Sequence, residues 1–275
     1  MLRDQGRALE RIAQYLGGQE VRRIVDGIAH PGRLEHAGRK VYSQGDEDGI
    51  LDEILRRIGA AGTGIVIEFG VENGLQSNTH WLLRQGYSAA WLECDDYQVK
   101  WIRRYYADYL ADGRLRLAHE LVTRDTVDAR LAALAAGSPV LVLSIDVDGN
   151  DYWIWERITT IQPSVVVIEY NATFPPPVAI VQEHDPGGPK KVRTDAWGAS
   201  LSALDTLARR KGYRLVGCSI TGINAFFVRD DLATDERFPY PCTPGSLYHP
   251  LRRNLIVDAF APAFPPAVGR FVSAE

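Results

Sequence analysis

Cysteine is scarce: Cys94, Cys218 and Cys242 are the only three in 275 residues. They lie far apart, odd in number and without C-x-x-C spacing, so neither a disulfide framework nor a zinc site is indicated, and a reducing cytoplasm is the expected location. Charge of one sign is lacking too. With 31 basic and 35 acidic residues the net charge is −4, far from the strongly basic balance that nucleic-acid binding leaves in a sequence. No apolar run has the length of a membrane span or a secretory signal, and the chain opens on Met1-Leu2-Arg3-Asp4-Gln5. Repeats and low-complexity tracts are absent. These lacks point to a small-molecule substrate, with no nucleic acid and no membrane as partner. Hydrophobic content of 45% and charged content of 24% suit one sizeable soluble domain.

What is present is an alternation. Leu9, Ile12, Ala13 and Leu16, then Val21, Ile24, Val25 and Ile28, fall at helical spacing, and Gly17-Gly18 predicts a break between two helices. Residues 1–40 are expected to form a helical appendage, a candidate surface for a homodimer. Tyr42 to Asp48 then leads into Ile50, Leu51, Ile54, Leu55 and Ile58, an amphipathic helix with acids in its first turn. Strand-like segments follow at Gly64–Phe69, Ser88–Glu93, Leu115–Leu121, Val140–Ile145 and Ser164–Ile168. Helical segments at Ser77–Gln85, Tyr97–Ala111, Asp125–Ala136, Tyr152–Ile158 and Ser200–Lys211 separate or follow them. Continuous apolar strands spaced by helices predict an α/β, doubly wound, mostly parallel sheet covered on both faces. Tyr213–Cys218 and Asn224–Arg229 are too close in sequence for a crossover and should close the sheet as an antiparallel hairpin. Most of the 15 prolines fall in Ala172–Ala199, a candidate active-site lid, and in Pro239–Pro266. The expected division is a main domain at 41–235, with its lid at 172–199, and a Pro-rich tail at 236–275 that caps the same pocket.

The sharpest local signal is Val66-Ile67-Glu68-Phe69-Gly70-Val71-Glu72-Asn73-Gly74, an apolar strand entering a glycine-bearing turn with two carboxylates. Glycines let a ligand approach the backbone. The acids Glu68 and Glu72 would repel a dinucleotide pyrophosphate, whereas S-adenosylmethionine, with a sulfonium, an ammonium and one carboxylate, is net positive and suits them. The turn reads G-x-x-x-G, not G-x-G-x-x-G, and has no Lys-Ser/Thr of a phosphate loop.

Six alternating units ending in a hairpin, with this acidic turn after the first strand, resemble the class I S-adenosylmethionine-dependent methyltransferases, whose Rossmann-like sheet has seven strands. Tyr42-Ser43-Gln44, Ile145-Asp146-Val147-Asp148-Gly149 and Val167-Ile168-Glu169-Tyr170-Asn171 resemble the FkbM-type enzymes and, more loosely, the metal-dependent macrocin-type sugar O-methyltransferases. The likeness covers roughly residues 41 to 232. One departure is Glu169-Tyr170-Asn171, where macrocin-type enzymes usually end the fifth strand with paired acids. The resemblance implies S-adenosyl-L-methionine as cofactor, a sugar-containing or otherwise hydroxylated acceptor, and Mg²⁺ as a candidate second cofactor.

Ligands of open α/β sheets lie beyond the C-terminal strand ends, where these motifs sit. Glu93, with Asp95 as fallback, is placed to chelate the ribose hydroxyls. Glu68 or Glu72, with Gly70 and Gly74 in the turn, would face the methionine ammonium or an ordered water near it. Gln76, Ser77 and Asn78 open the next helix and are candidates for the methionine carboxylate, or simply cap that helix. Tyr42 and Gln44 resemble residues that close over the cofactor, and Thr123-Arg124-Asp125-Thr126 is the expected adenine neighbour.

For Asp146 and Asp148 three readings stand open. They join Glu169 and Asn171 as oxygen ligands of a hard ion such as Mg²⁺, they act as general base through mutually raised pKa values, or they only cap a turn. His184 in the lid is another candidate catalytic base. Lys190, Lys191 and Arg193 are candidates for an anionic substrate group, and Trp197 and Tyr248 for apolar walls against a sugar ring. The competing functions are a nicotinamide-dependent oxidoreductase and a catalytically silent cofactor-binding or scaffold module.

Overall fold

Runs of aliphatic and β-branched residues without polar alternation have no face to give to solvent, and each such run here becomes a strand covered on both sides. The computed structural model describes residues 2–60, 62, 64–186, 196–252, 255 and 271–273. Its strands β1 (Ile65–Phe69), β2 (Ser88–Glu93), β3 (Leu115–His119), β4 (Val140–Ile145) and β5 (Val165–Glu169) are mutually parallel. A short β6 (Ile180–Gln182) lies outside this sheet, and β7 (Tyr213–Cys218) with β8 (Asn224–Arg229) forms the expected hairpin. The sheet order is β3-β2-β1-β4-β5-β8-β7, with β8 antiparallel to both neighbours. This is the seven-stranded, mostly parallel arrangement that the alternation predicts. Phe69, Trp91, Phe226 and Phe227 are wholly buried against it.

The helices are α1 (Leu2–Asp26), α2 (Glu47–Ile58), α3 (His80–Arg84), α4 (Asp96–Tyr105), α5 (Ala107–Ala111), α6 (Val127–Ala135), α7 (Asp151–Arg157), α8 (Leu201–Arg210) and the single turn α9 (Pro244–Leu247). Three depart from expectation. Helix α1 runs unbroken through Gly17-Gly18, because glycine weakens a helix without removing any of its backbone hydrogen bonds. Helix α3 starts late, since the N–H groups of Asn78 and Thr79 donate to the Glu68 carboxylate and hold that segment as a loop. The expected single helix after β2 splits at Tyr106, whose hydroxyl donates to the Gly74 carbonyl at 3.0 Å while its ring meets Trp91 edge-on at 4.8 Å. Among the described residues no helix is long and apolar enough to cross a membrane.

The segment between β5 and α8 has a hydrogen-bonded stem, in which Gln182 N donates to Gly198 O and Ser200 N to Ile180 O. Strand β6 of this stem pairs with β9 (Phe271–Ser273). The tail is tied to the body by a buried knot. Glu35 accepts from Arg33 and from His249 Nε2, and Tyr170 donates its hydroxyl to the His249 carbonyl at 2.6 Å. Hydrogen bonds from His249 and Arg33 outweigh burial, which opposes ionisation, and hold the Glu35 carboxyl down to about 2.

Candidate active site

All five parallel strands point their C-terminal ends to one edge of the sheet, and sheet order reverses between β1 and β4, which opens a crevice there. A cavity of about 430 Å³ occupies it. Its walls come from the ends of β1 (Glu68, Gly70), β2 (Leu92, Glu93), β4 (Asp146) and β5 (Glu169), from the start of β8 (Asn224), and from the loops that follow these strands.

The glycine turn is shaped by packing. Gly70 has φ +70°, and a Cβ there would lie 1.8 Å from the carbonyl oxygen of Asp146, so only glycine lets the β1 and β4 turns touch. A Cβ on Gly74, at φ +78°, would lie 2.5 Å from the Trp91 ring. Gly74 therefore stands behind the cavity wall. Gly70 lines the cavity as expected of the turn, while Gly74 is not in its lining, and both glycines also let neighbouring protein approach.

The strand-end acids are largely spoken for by backbone donors. Glu68 accepts from Asn78 N, Thr79 N (both 2.8 Å) and Thr79 Oγ1 (2.6 Å), and burial raises its pKa against these bonds. Glu93 accepts from Glu72 N, Cys94 N and Asp95 N, each at 2.8 Å. A carboxylate offers about four acceptor sites, so Glu93 keeps room for a hydroxyl donor. Asp95 caps α4, accepting from Tyr97 N and Gln98 N at 2.9 Å. Glu72, at φ +50°, reaches the cavity from the turn.

After β4 the chain makes a tight acidic turn around a residue that sequence inspection passed over. Asp151 is buried, and its two oxygens accept from Val147 N and Gly149 N at 2.9 Å each. Burial pushes its carboxyl up to about 6, against those bonds and with a further push from Asp148. The turn-capping role weighed for Asp146 and Asp148 is thus filled by Asp151. Its signal was available: an aspartate two residues past Gly149 at the first position of a helix. Asp148 sits at φ +53°, exposed at the cavity. Asp146 lines the cavity with its pKa raised by burial and by Asp151, Asp148, Glu68 and Glu72.

Of the residues singled out from sequence, Gln44, Glu68, Gly70, Glu72, Gln76, Ser77, Asn78, Glu93, Asp95, Asp146, Asp148 and Glu169 converge on the cavity. Others lie elsewhere. Tyr42 stacks on His80 at 3.9 Å. Asp125 falls beyond the cavity because β3 ends at His119, two residues early, so Glu120, Leu121 and Val122 take its place. His184 packs edge-on against Trp153 at 6.1 Å, away from the lining. Asn171 ties the start of the β5–α8 connection to its end, its Nδ2 donating to Trp197 O at 2.9 Å and its Oδ1 accepting from Thr173 N at 3.0 Å. Tyr248 donates to the Ala172 carbonyl, and neither it nor Trp197 lines the cavity. No described residue of the tail does so. Lys190, Lys191 and Arg193 lie outside the described residues. Cys94, Gln98, Ile223 and Asn224 line the cavity without having been singled out.

The proposed metal set does not assemble. Asn171 is committed to Trp197 O and Thr173 N, and among the described residues no three His, Cys, Asp or Glu side chains are grouped to hold an ion. The residues present do not fit Mg²⁺.

No family model matches the chain, and no curated protein does. Solved structures that resemble it include the N-terminal domain of EvdMO1 with SAH bound, at 13% identity over 81% of this chain and 94% of that one, with a TM-score of 0.42. The glycopeptide N-methyltransferase MtfA complexed with sinefungin shares 14% identity over 69% and 87%, with a TM-score of 0.40. An O-methyltransferase family protein from Burkholderia thailandensis shares 9% over 66% and 57%, with a TM-score of 0.41. Likeness this distant carries no argument about chemistry, which rests on the residues of the cavity.

Proposed function

We propose that this chain is an S-adenosylmethionine-dependent methyltransferase acting on a hydroxyl of a small, sugar-like acceptor. The observation that carries this is the charge of the cavity. Its lining includes eight carboxylates, Glu68, Glu72, Glu93, Asp95, Glu120, Asp146, Asp148 and Glu169, and no Lys, Arg or His among the described residues. A dinucleotide would bring its pyrophosphate into a field of its own sign, whereas a net-positive methyl donor is attracted. That disfavours the oxidoreductase alternative.

In this reading Glu93 holds the ribose, Leu121 and Val122 face the base, and Glu72 faces the ammonium. Gln76, Ser77 and Asn78 take the carboxylate. S-adenosylmethionine supplies an activated methyl group: its C–S bond breaks as the O–CH₃ bond forms, and the electron pair stays on sulfur. The protein's part is to align the acceptor hydroxyl and take its proton. Asp146 is the base: it lines the cavity at the end of β4 beside the donor turn, where burial and the neighbouring acids Asp151, Asp148, Glu68 and Glu72 raise its carboxyl above the ordinary aspartate value. Residues 41–235 form the catalytic unit and 172–199 its lid.

Calorimetric titration with S-adenosylmethionine, S-adenosylhomocysteine and NADH tests the proposal. Binding of the first two and not the third is expected. Failure of both adenosyl compounds to bind, or tighter binding of NADH, overturns it.

A further inference from the structure

The acids of the cavity differ in what holds them. Glu68, Glu93 and Asp95 accept from backbone N–H groups, and Glu120 is paired with Arg130 at 2.8 Å. The side chains of Glu72, Asp146 and Asp148 receive neither a hydrogen bond nor a cation from any described residue, and all three line the cavity. They stand in the two turns that meet where Gly70 abuts the Asp146 carbonyl. Glu72 and Asp148 both push the Asp146 carboxyl up, so the three share one field. Like charges gathered without donors are relieved by a positive ligand. No three acids among the described residues are grouped to hold a metal ion, and the charge that suits this spacing is an organic cation.

S-adenosylmethionine brings two positive charges and one negative. With its ammonium at Glu72 and its carboxylate at Gln76, Ser77 and Asn78, the sulfonium is the charge left for Asp146 and Asp148. S-adenosylhomocysteine has the same ammonium and carboxylate but a neutral sulfur. We infer that Asp146 and Asp148 read the charge on sulfur, so that the cavity holds the methyl donor more tightly than its demethylated product and releases the product once the methyl has moved. The inference rests on the methyltransferase reading of the same cavity. A sulfonium beside Asp146 also opposes the neighbouring acids and favours the ionised carboxyl, the form that can take a proton. As the C–S bond breaks and the O–CH₃ bond forms, the electron pair neutralises sulfur and the hydroxyl proton passes to Asp146. That proton replaces the sulfonium as the positive partner of Asp148. When it leaves for solvent, the two carboxylates face a sulfur with no charge to hold.

Calorimetric titration of the full chain with S-adenosylmethionine, S-adenosylhomocysteine and sinefungin, which carries an amine where the sulfonium stands, tests this at about 0.05 M and about 0.5 M salt. The two charged ligands should bind about tenfold tighter than S-adenosylhomocysteine at the lower salt, the worth of one charge in a solvent-open cavity, with a narrower gap at the higher. Asp148→Asn should cut the gap about threefold by weakening the charged ligands alone, and asparagine tolerates the φ of +53° at that position. Glu72→Gln is the control and should weaken all three alike, since all carry the methionine ammonium. The inference is overturned by S-adenosylhomocysteine binding as tightly as the donor or tighter, or by sinefungin siding with it. A gap that widens with salt, that survives both Asp148→Asn and Asp146→Asn, or that closes in Glu72→Gln alone overturns it too. No binding of any of the three sinks the methyltransferase reading and this inference with it, whereas binding without the gap sinks only this one.

Discussion

Asp151→Asn tests the electrostatics of the acidic turn. The folded carboxyl titrates at about 6 against an ordinary 3.8, because burial outweighs its two backbone hydrogen bonds. Between those values the folded protein holds a proton that the unfolded chain releases, so this group's stabilising contribution is complete below pH 3.8 and is lost as pH rises through about 6. Two units at 1.36 kcal/mol each make that loss about 3 kcal/mol. Asparagine has no proton to exchange and accepts from only one of Val147 N and Gly149 N, at a cost of about 1–2 kcal/mol. Urea unfolding followed by tryptophan fluorescence, at about pH 4 and about pH 7.5, reads both effects. The variant should be the less stable protein in acid, and the deficit should shrink by about 3 kcal/mol or reverse at neutral pH. Asp146 feels the charge of Asp151, so the transition belongs to the pair. A deficit that is constant, or that widens with pH, would refute the reasoning.

Three further outcomes follow from single contacts. Gly70→Ala forces a methyl to within 1.8 Å of the Asp146 carbonyl at φ +70°, and should lower stability by more than about 2 kcal/mol and remove S-adenosylhomocysteine binding; an unchanged urea midpoint contradicts it. Glu93→Gln disturbs the acceptor of three backbone amides and should weaken that binding by about tenfold or more, read by calorimetry. Glu35, held down to about 2, contributes stability that is present above pH 4.5 and lost as pH falls toward about 2; Glu35→Gln should flatten an acid-unfolding curve over that window, and an unchanged curve counts against the buried knot.

The strands were legible because Ile65–Phe69, Val140–Ile145 and Val165–Glu169 have no polar alternation, which only burial on both faces explains. The place of the site was legible for a related reason: a parallel sheet carries all its C-terminal ends to one edge, so acids scattered at 68, 93, 146 and 169 had to meet. Helix limits were hidden because tertiary contacts set them, as Glu68 does before α3 and Tyr106 does after α4. What each carboxylate does was hidden as well. Whether its oxygens face a ligand or a backbone N–H depends on the path of the adjoining loop, which for Glu68 and Glu93 is the one that follows and for Asp151 the turn that precedes it. The lining after β3 likewise comes from Glu120–Val122 and not from Asp125, since β3 stops two residues short of the expected end.

The contact between Gly70 and the Asp146 carbonyl bears on engineering. The turns after β1 and β4 that face each other across the crevice lie far apart in the chain, yet their backbones abut without room for a methyl group. A chimera that imports the segment after β4 from a relative would carry in a new carbonyl path against an old turn. Productive crossovers should therefore exchange both turns together or neither, which gives recombination libraries of this fold a rule that can be scored by counting soluble progeny.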